Sequence, residues 1–271
     1  MQQITANVYV QIFPIGTSCN PGFVVTSEGI VMIDTPYRPT EAVKWRDEIA
    51  RKGEVRYLIN TEHHPDHRTG NYFFSGIVVS HQGVREDFGT RVGTPEEVRQ
   101  QVRETDPEGL PLVENYQFRP PTITFTEQLN LYLGNHTFEL FHLPGHTSSQ
   151  VGVYIPQERV IFTGDNVVNG WYPVLAECCP IEWVESLERI EAMDVDVIIP
   201  GHGEIADKRV VREFRTFIQG CIDKVKEAIS QGMSGEEAAN RISFEERLPA
   251  LHPGAEWQRQ DVMWLYEMLS R

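Results

Sequence analysis

Apolar runs of four to eight residues, broken by turn residues, set the pattern of the first third of the chain and predict strands at 7–13, 22–26 and 29–34. The last two runs flank Ser27-Glu28-Gly29, so the N-terminus is expected to be an antiparallel meander. The spacing Ala42, Trp45, Ile49 then changes to helical and predicts a helix over 40–52, with Thr40 as its N-cap and Gly53 as its stop. Strands follow at 55–60 and 77–80. Residues 82–115 are polar, rich in Glu, Arg and Gln, and predict broken helix in an insertion beside the core. The second half resumes the strand pattern at 122–126, 129–133, 136–143, 150–155 and 158–163, then gives a helix at 181–193 and a strand at 195–200. A long helix is expected over 207–231. Ser234 and Glu237 have capping-box spacing, and Trp257, Asp261, Val262, Leu265 and Leu269 mark a last amphipathic helix. Two β-rich halves with interspersed helices imply an α+β fold, two sheets face to face with helices outside.

The 271 residues, 40% hydrophobic, are enough for one domain over 1–271, with a core over about 1–205 and a helical C-terminal portion over about 206–271. A formal net charge of −15 disfavours nucleic acid and anionic lipid as partners. The sequence shows no leader-like start and no apolar run of membrane length, so a cytoplasmic location is the default expectation. Cys19, Cys178, Cys179 and Cys221 lack C-x-x-C spacing and are read as reduced and structural, with Cys178 and Cys179 as minor candidates for lining a pocket.

Residues 60–71 read Asn-Thr-Glu-His-His-Pro-Asp-His-Arg-Thr-Gly-Asn and follow the 55–60 strand directly. Three imidazoles and two carboxylates on one short loop are costly to fold together unless a cation neutralises them. Three later strand ends carry further candidates beside glycines: Pro144-Gly-His146-Thr147, Thr163-Gly-Asp165 and Pro200-Gly-His202-Gly. With Glu62, His64, Asp66 and His67 they make seven groups, a number that suits two metal ions.

In this order the four motifs resemble the metallo-β-lactamase superfamily over about residues 1–205. That resemblance implies an αββα four-layer sandwich with its ligands along one edge. It also assigns Glu62, His64 and His146 to a first metal, Asp66, His67 and His202 to a second, Asp165 as their bridge, and Asp34 as a support for the site. The first motif of the family normally reads H-x-H-x-D-H, and Glu62 stands where its first histidine belongs. Because side chains alternate along an extended backbone, position 62 and not His63 shares a side with His64. The carboxylate lowers the charge of the first site by one unit. The resulting two-histidine, one-carboxylate set admits iron or manganese beside zinc, the metal the family leads one to expect.

The activity implied is metal-dependent hydrolysis of a small-molecule ester, lactone or amide, with Asp66 and Asp165 as catalytic residues, one holding the nucleophile and the other both ions. An iron-dependent oxygenase-type enzyme on the same fold, or a non-catalytic metal-binding protein, are the alternatives. Trp171 and Tyr172 are candidates either to wall the pocket or to pack on the C-terminal helices, and Tyr37 and Arg38 are candidates to approach substrate. His63 and His142 are read as supporting or packing residues. His81 is ambiguous, and His136 and His252 are read as ordinary loop or surface residues.

Overall fold

The computed structural model describes residues 1–14, 16–90, 93–244 and 255–271. Seven strands form the first sheet in chain order: β1 (Gln2–Gln3), β2 (Val8–Val10), β3 (Gly22–Thr26), β4 (Gly29–Ile33), β5 (Val55–Ile59), β6 (Ile77–His81) and β7 (Ile123–Phe125). The first four make the expected meander, whereas β4 to β7 run parallel. Parallel neighbours need crossovers. These are α1 (Pro39–Ala50), α2 (Pro65–Arg68) with the turn after it, and the segment holding α3 (Gln82–Thr90) and α4 (Pro95–Thr105). The strand expected at 122–126 therefore closes the first sheet instead of opening the second, since an apolar run carries no information about its partner.

The second half supplies β8 (Gln128–Leu133), β9 (His136–His142), β10 (Val151–Ile155), β11 (Val160–Phe162), β12 (Val168–Asn169), β13 (Val197–Ile199) and β14 (His202–Gly203). Its sheet has the order β13-β11-β10-β9-β8, antiparallel except for β11 beside β13, while β12 and β14 pair with each other. Four more helices follow or intervene: α5 (Pro180–Ala192), α6 (Lys208–Ser230), α7 (Gly235–Arg241) and α8 (Ala255–Leu269).

Strand β4 shows how the layers form. Successive side chains point to opposite faces, so Val31 and Ile33 join Val24, Ile59, Phe138, Leu140, Val153 and Phe162 between the sheets. Ile30 and Met32 turn outward onto Ala42, Trp45 and Ile49 of α1. Beyond the second sheet, Phe141 and Ile161 meet Trp183 and Leu187 of α5, Phe214 and Ile218 of α6, and Val262 and Leu265 of α8. The result is the αββα sandwich. Each fully buried side chain of this size contributes roughly 1.5–3 kcal/mol.

Two local expectations are corrected. Helix α1 starts at Pro39, with Arg38 as an N-cap that makes no side-chain bond. Proline suits the first helical position because its missing N–H has no partner there in any case. Thr40 lies inside the helix, and its N–H and hydroxyl donate to Asp106 Oδ2 and Oδ1 at 2.9 and 3.0 Å, so the cap comes from a distant loop. His136 is only 3% exposed and lies 2.8 Å from Glu158, which also accepts from Thr5 and Asn7; it is a buried polar tie, not a surface residue. His252 lies outside the described residues.

Candidate metal centre

Strands β4, β5, β9, β11 and β13 all lead into segments that meet at one edge of the sandwich, bearing Asp34, the 60–67 loop, His146, Asp165 and His202. Main-chain bonds fasten these segments to one another. Val151 N–H donates to Thr61 O at 2.7 Å across the two sheets, and Asn20 N–H donates to Gly201 O at 2.7 Å. Gly201 is required here, since a Cβ at that position would stand 1.8 Å from Asp165 Oδ1. Gly164 has a φ of +51° and likewise leaves no room for a side chain beside Thr61 and Gln150.

The side chains gather into overlapping triads. Glu62, His64 and His146 form one, Asp66, His67 and His202 a second, and Glu62 and Asp165 join His67 in a third, each with its donor atoms within 4.8 Å of one another. In the first, His64 Nδ1 contacts Glu62 Oε2 and lies 3.2 Å from His146 Nε2. In the second, Asp66 Oδ2 is 3.0 Å from His202 Nε2 and 3.9 Å from His67 Nε2. Asp165 stands between them, with Oδ1 3.3 Å from His67 Nε2 and Oδ2 3.4 Å from His202 Nε2 and 3.8 Å from His146 Nε2. The sequence-predicted set is thus assembled with Glu62 in the position that register assigned to it. His63 turns away to Ser149 Oγ (3.2 Å) and Glu177 (3.6 Å).

Asp34 supports this cluster from below. Its Oδ2 accepts from His67 Nδ1 at 2.9 Å and from the Thr61 hydroxyl at 2.6 Å, and its Oδ1 accepts the Thr61 N–H at 2.8 Å. This fixes the His67 tautomer and aims Nε2 at the other donors, as a carboxylate behind a metal-binding imidazole does. Asp34 holds a φ of +54°, an uncommon conformation for a residue other than glycine and one that aspartate tolerates.

The donor set fits a cation on an independent observation. Buried polar atoms are nearly always hydrogen-bonded, yet Glu62 Oε2, His67 Nε2 and Asp165 Oδ1 are buried here without a hydrogen-bond partner. Charge leads to the same conclusion. Burial opposes ionisation of Glu62, but His67, His64 and His146 together hold its carboxyl well below the usual range. Burial likewise disfavours the His64 and His202 cations, yet Glu62 pushes His64 up to about 9, and Asp165 and Asp66 push His202 up to about 10. His67 rises well above its ordinary value against the same burial, whereas burial keeps His146 low. Protons thus stand where cations would neutralise the carboxylates.

A cavity of about 290 Å³ opens over the cluster. His64, Asp66, His146, Asp165 and His202 line one side, and Val168, Trp171, Tyr172, Pro173, Val174 and Trp257 the other. Trp171 sets its ring edge-on to His202, with centroids 4.5 Å apart. Tyr172 does both things considered for it, since its ring faces the cavity while its hydroxyl donates to Asp261 Oδ2 on α8 at 3.0 Å. Tyr37 lines a neighbouring cavity with Arg68 and Phe118, and Arg38 pairs with Glu41, so neither lines the cavity over the cluster. Cys178 and Cys179 are also absent from its lining, and no disulfide joins the four cysteines. His142 stacks on His81 at 4.3 Å, away from the cluster.

Two contributors were not legible. The sequence marks Asp261 only as part of an amphipathic helix, but it is buried and accepts the Leu175 and Ala176 N–H groups, both at 2.8 Å. An aspartate beside Val262 on the apolar stripe was the available signal. The carbonyl of Val174, 3.1 Å from His146 Nδ1, left no trace in the sequence.

A sequence model described as the metallo-beta-lactamase superfamily matches residues 14–202. A linear primary-alkylsulfatase of Pseudomonas sp. is 22% identical over 268 residues, covering 83% of this chain and 50% of that protein, so the chain spans half its length. The type 2 metallo-beta-lactamase of Elizabethkingia meningoseptica is 23% identical over 218 residues, 78% of this chain and 76% of that one. A metallo-beta-lactamase family protein of Thermus thermophilus shares the fold, with a TM-score of 0.71 at 16% identity over 99% of this chain and 94% of the other.

Proposed function

Since the chain belongs to the metallo-beta-lactamase superfamily, we propose that it is a metal-dependent hydrolase acting on an ester, lactone or amide bond of a small molecule. The observation that carries this reading is the convergence of three buried donor atoms, Glu62 Oε2, His67 Nε2 and Asp165 Oδ1, that face one another and the other candidate ligands without a satisfying hydrogen bond. Glu62, His64 and His146 would hold one divalent ion and Asp66, His67 and His202 a second, with Asp165 between them. Zinc is the proposed metal, with manganese or iron as the other candidates. Ions bound there supply an acidified water and Lewis-acid polarisation of the scissile carbonyl.

The protein's own groups divide the remaining work. The Asp66 side chain is 31% exposed, against 14% for Asp165 and none for Glu62, so Asp66 is the carboxylate best placed to accept a hydrogen bond from the attacking water and orient it. His67 is held by Asp34 and cannot swing. The cavity volume lies at the low end for ligand sites, which favours a small substrate. Its apolar wall carries no Lys or Arg among the described residues, and the tyrosine hydroxyl in it is already engaged by Asp261. This favours an uncharged, apolar group beside the scissile bond.

The test is metal analysis of the protein purified without added metal, followed by assays on phenyl acetate, a simple lactone and an anilide. Turnover that falls to background in Asp165→Ala and His146→Ala is expected. Turnover that is unchanged in both variants rules the assignment out. A second reading, an iron-dependent oxygenase, draws on the two-histidine, one-carboxylate triad Glu62, His64 and His146; iron content with oxygen uptake and no hydrolysis would favour it.

A further inference from the structure

We infer that Glu62 serves both halves of the centre at once, one carboxylate oxygen in each, where the imidazole usual at this position could serve only one. The inference rests on the metal-dependent reading above.

The two oxygens of Glu62 face different neighbours. Oε2 contacts His64 Nδ1 and lies 3.8 Å from His146 Nε2, inside the first triad. Oε1 lies 3.7 Å from His67 Nε2, a member of the second. With donor-to-metal distances of about 2.0–2.2 Å, two donors on one ion stand no more than about 4.4 Å apart, and both separations satisfy that limit. Apart from these imidazoles, Glu62 Oε1 meets only the Asp165 N–H, at 3.4 Å, and Oε2 meets no further donor. A carboxylate fully buried for the sake of one ion pair would leave the far oxygen idle in a low-dielectric setting, which is costly. Turning each oxygen toward a different triad removes that cost. Asp165 also reaches both triads, though divided differently, with Oδ1 toward His67 of the second and Oδ2 toward both His202 of the second and His146 of the first. The centre would then contain two spanning carboxylates, a donor set that suits manganese or iron better than an all-imidazole first site does.

The test uses the full chain, stripped with a chelator and titrated with Mn(II) alone by calorimetry, with bound manganese counted after gel filtration. Two binding steps are expected for the wild type. In Glu62→Gln both should weaken by roughly tenfold or more, the scale seen when groups around a metal are removed. Weakening of one step only, or of neither, overturns the spanning role. Should Glu62→Gln not fold, Glu62→His decides. It should restore at most one step and leave the other at least about tenfold weaker, whereas two steps of wild-type affinity overturn the inference. A wild-type chain that takes up neither manganese nor zinc overturns the metal-dependent reading itself, an outcome distinct from the loss of a single step.

Discussion

The Nδ1 of His146 lies 3.1 Å from the carbonyl oxygen of Val174, so the cavity wall orients a candidate ligand as well as shaping the space above it. That wall is held in turn by α8. Asp261 accepts the next two backbone N–H groups, and Trp264 Nε1 donates to Cys178 O at 2.8 Å. Replacing Asp261 with alanine leaves two amides and the Tyr172 hydroxyl without their acceptor. Each buried donor left unmet costs about 1–3 kcal/mol. Asp261→Ala is therefore expected to lower the urea midpoint and to weaken metal binding through His146, read by unfolding curves and metal content together. Wild-type values for both would show that α8 does not position His146.

The same aspartate predicts a pH dependence. Burial raises the Asp261 carboxyl from 3.8 to about 6, against the lowering effect of Tyr172 and the two amides. The folded state then binds more protons than the unfolded state between these two values, so stability falls as pH rises through that window. At 1.36 kcal/mol per unit, the contribution is on the order of 3 kcal/mol. Asp261→Asn keeps an acceptor for the amides, and its NH₂ can donate to Tyr172. The metal-free variant should lose most of the decline between pH 4 and 6 that the metal-free wild type shows. Identical slopes for the two proteins would contradict the buried-carboxyl account.

Asp34 provides a third test. Asp34→Ala frees the His67 ring and leaves the Thr61 N–H and hydroxyl without an acceptor. Metal affinity is expected to fall by roughly 10–100-fold, while Asp34→Asn should retain part of it by accepting the Thr61 N–H. Competition with a chromophoric chelator measures this directly. Equal affinity in wild type and alanine variant would exclude a positioning role.

Metal uptake should release protons. His64 at about 9, His202 at about 10 and His67 well above its ordinary value are all protonated in the metal-free chain at pH 7. A ligating imidazole nitrogen must lose its proton, so apparent affinity should climb with pH through about 9 and on past about 10, where His202 still holds its proton in half of the metal-free chains. Calorimetry in buffers of different ionisation enthalpy counts the protons released. Heats that do not depend on the buffer would mean that these imidazoles are not displaced.

Much of this molecule is legible from the sequence because its chemistry sits at strand ends. The apolar runs that become β4 and β5, the glycines beside His146, Asp165 and His202, and the register that sets Glu62 beside His64 are local features, and each reappears in three dimensions. Partner choice is not local. The 122–126 run says nothing about which sheet it joins, and Thr40 gives no sign that Asp106, 66 residues later in the chain, occupies its capping groups. His136 reads as an ordinary loop or surface residue because Glu158, the carboxylate that buries with it, lies on a different hairpin. The wall of the cavity depended on a carbonyl and on an aspartate in the last helix, and backbone oxygens are invisible to any reading of side-chain type.

The candidate donors come from both layers, four from the loop after β5 and three from the strand ends of the second sheet. An ion held among them would act as a rivet at the rim of the sandwich, reinforcing the main-chain stitches from Val151 to Thr61 and from Asn20 to Gly201. At a free metal concentration a hundred times its Kd, each such rivet adds about 2.7 kcal/mol. Removing it should let amide hydrogens along that rim exchange faster while those of α1 and the opposite rim keep their protection, so the edge proposed to react would also be the edge whose cohesion the metal supply controls.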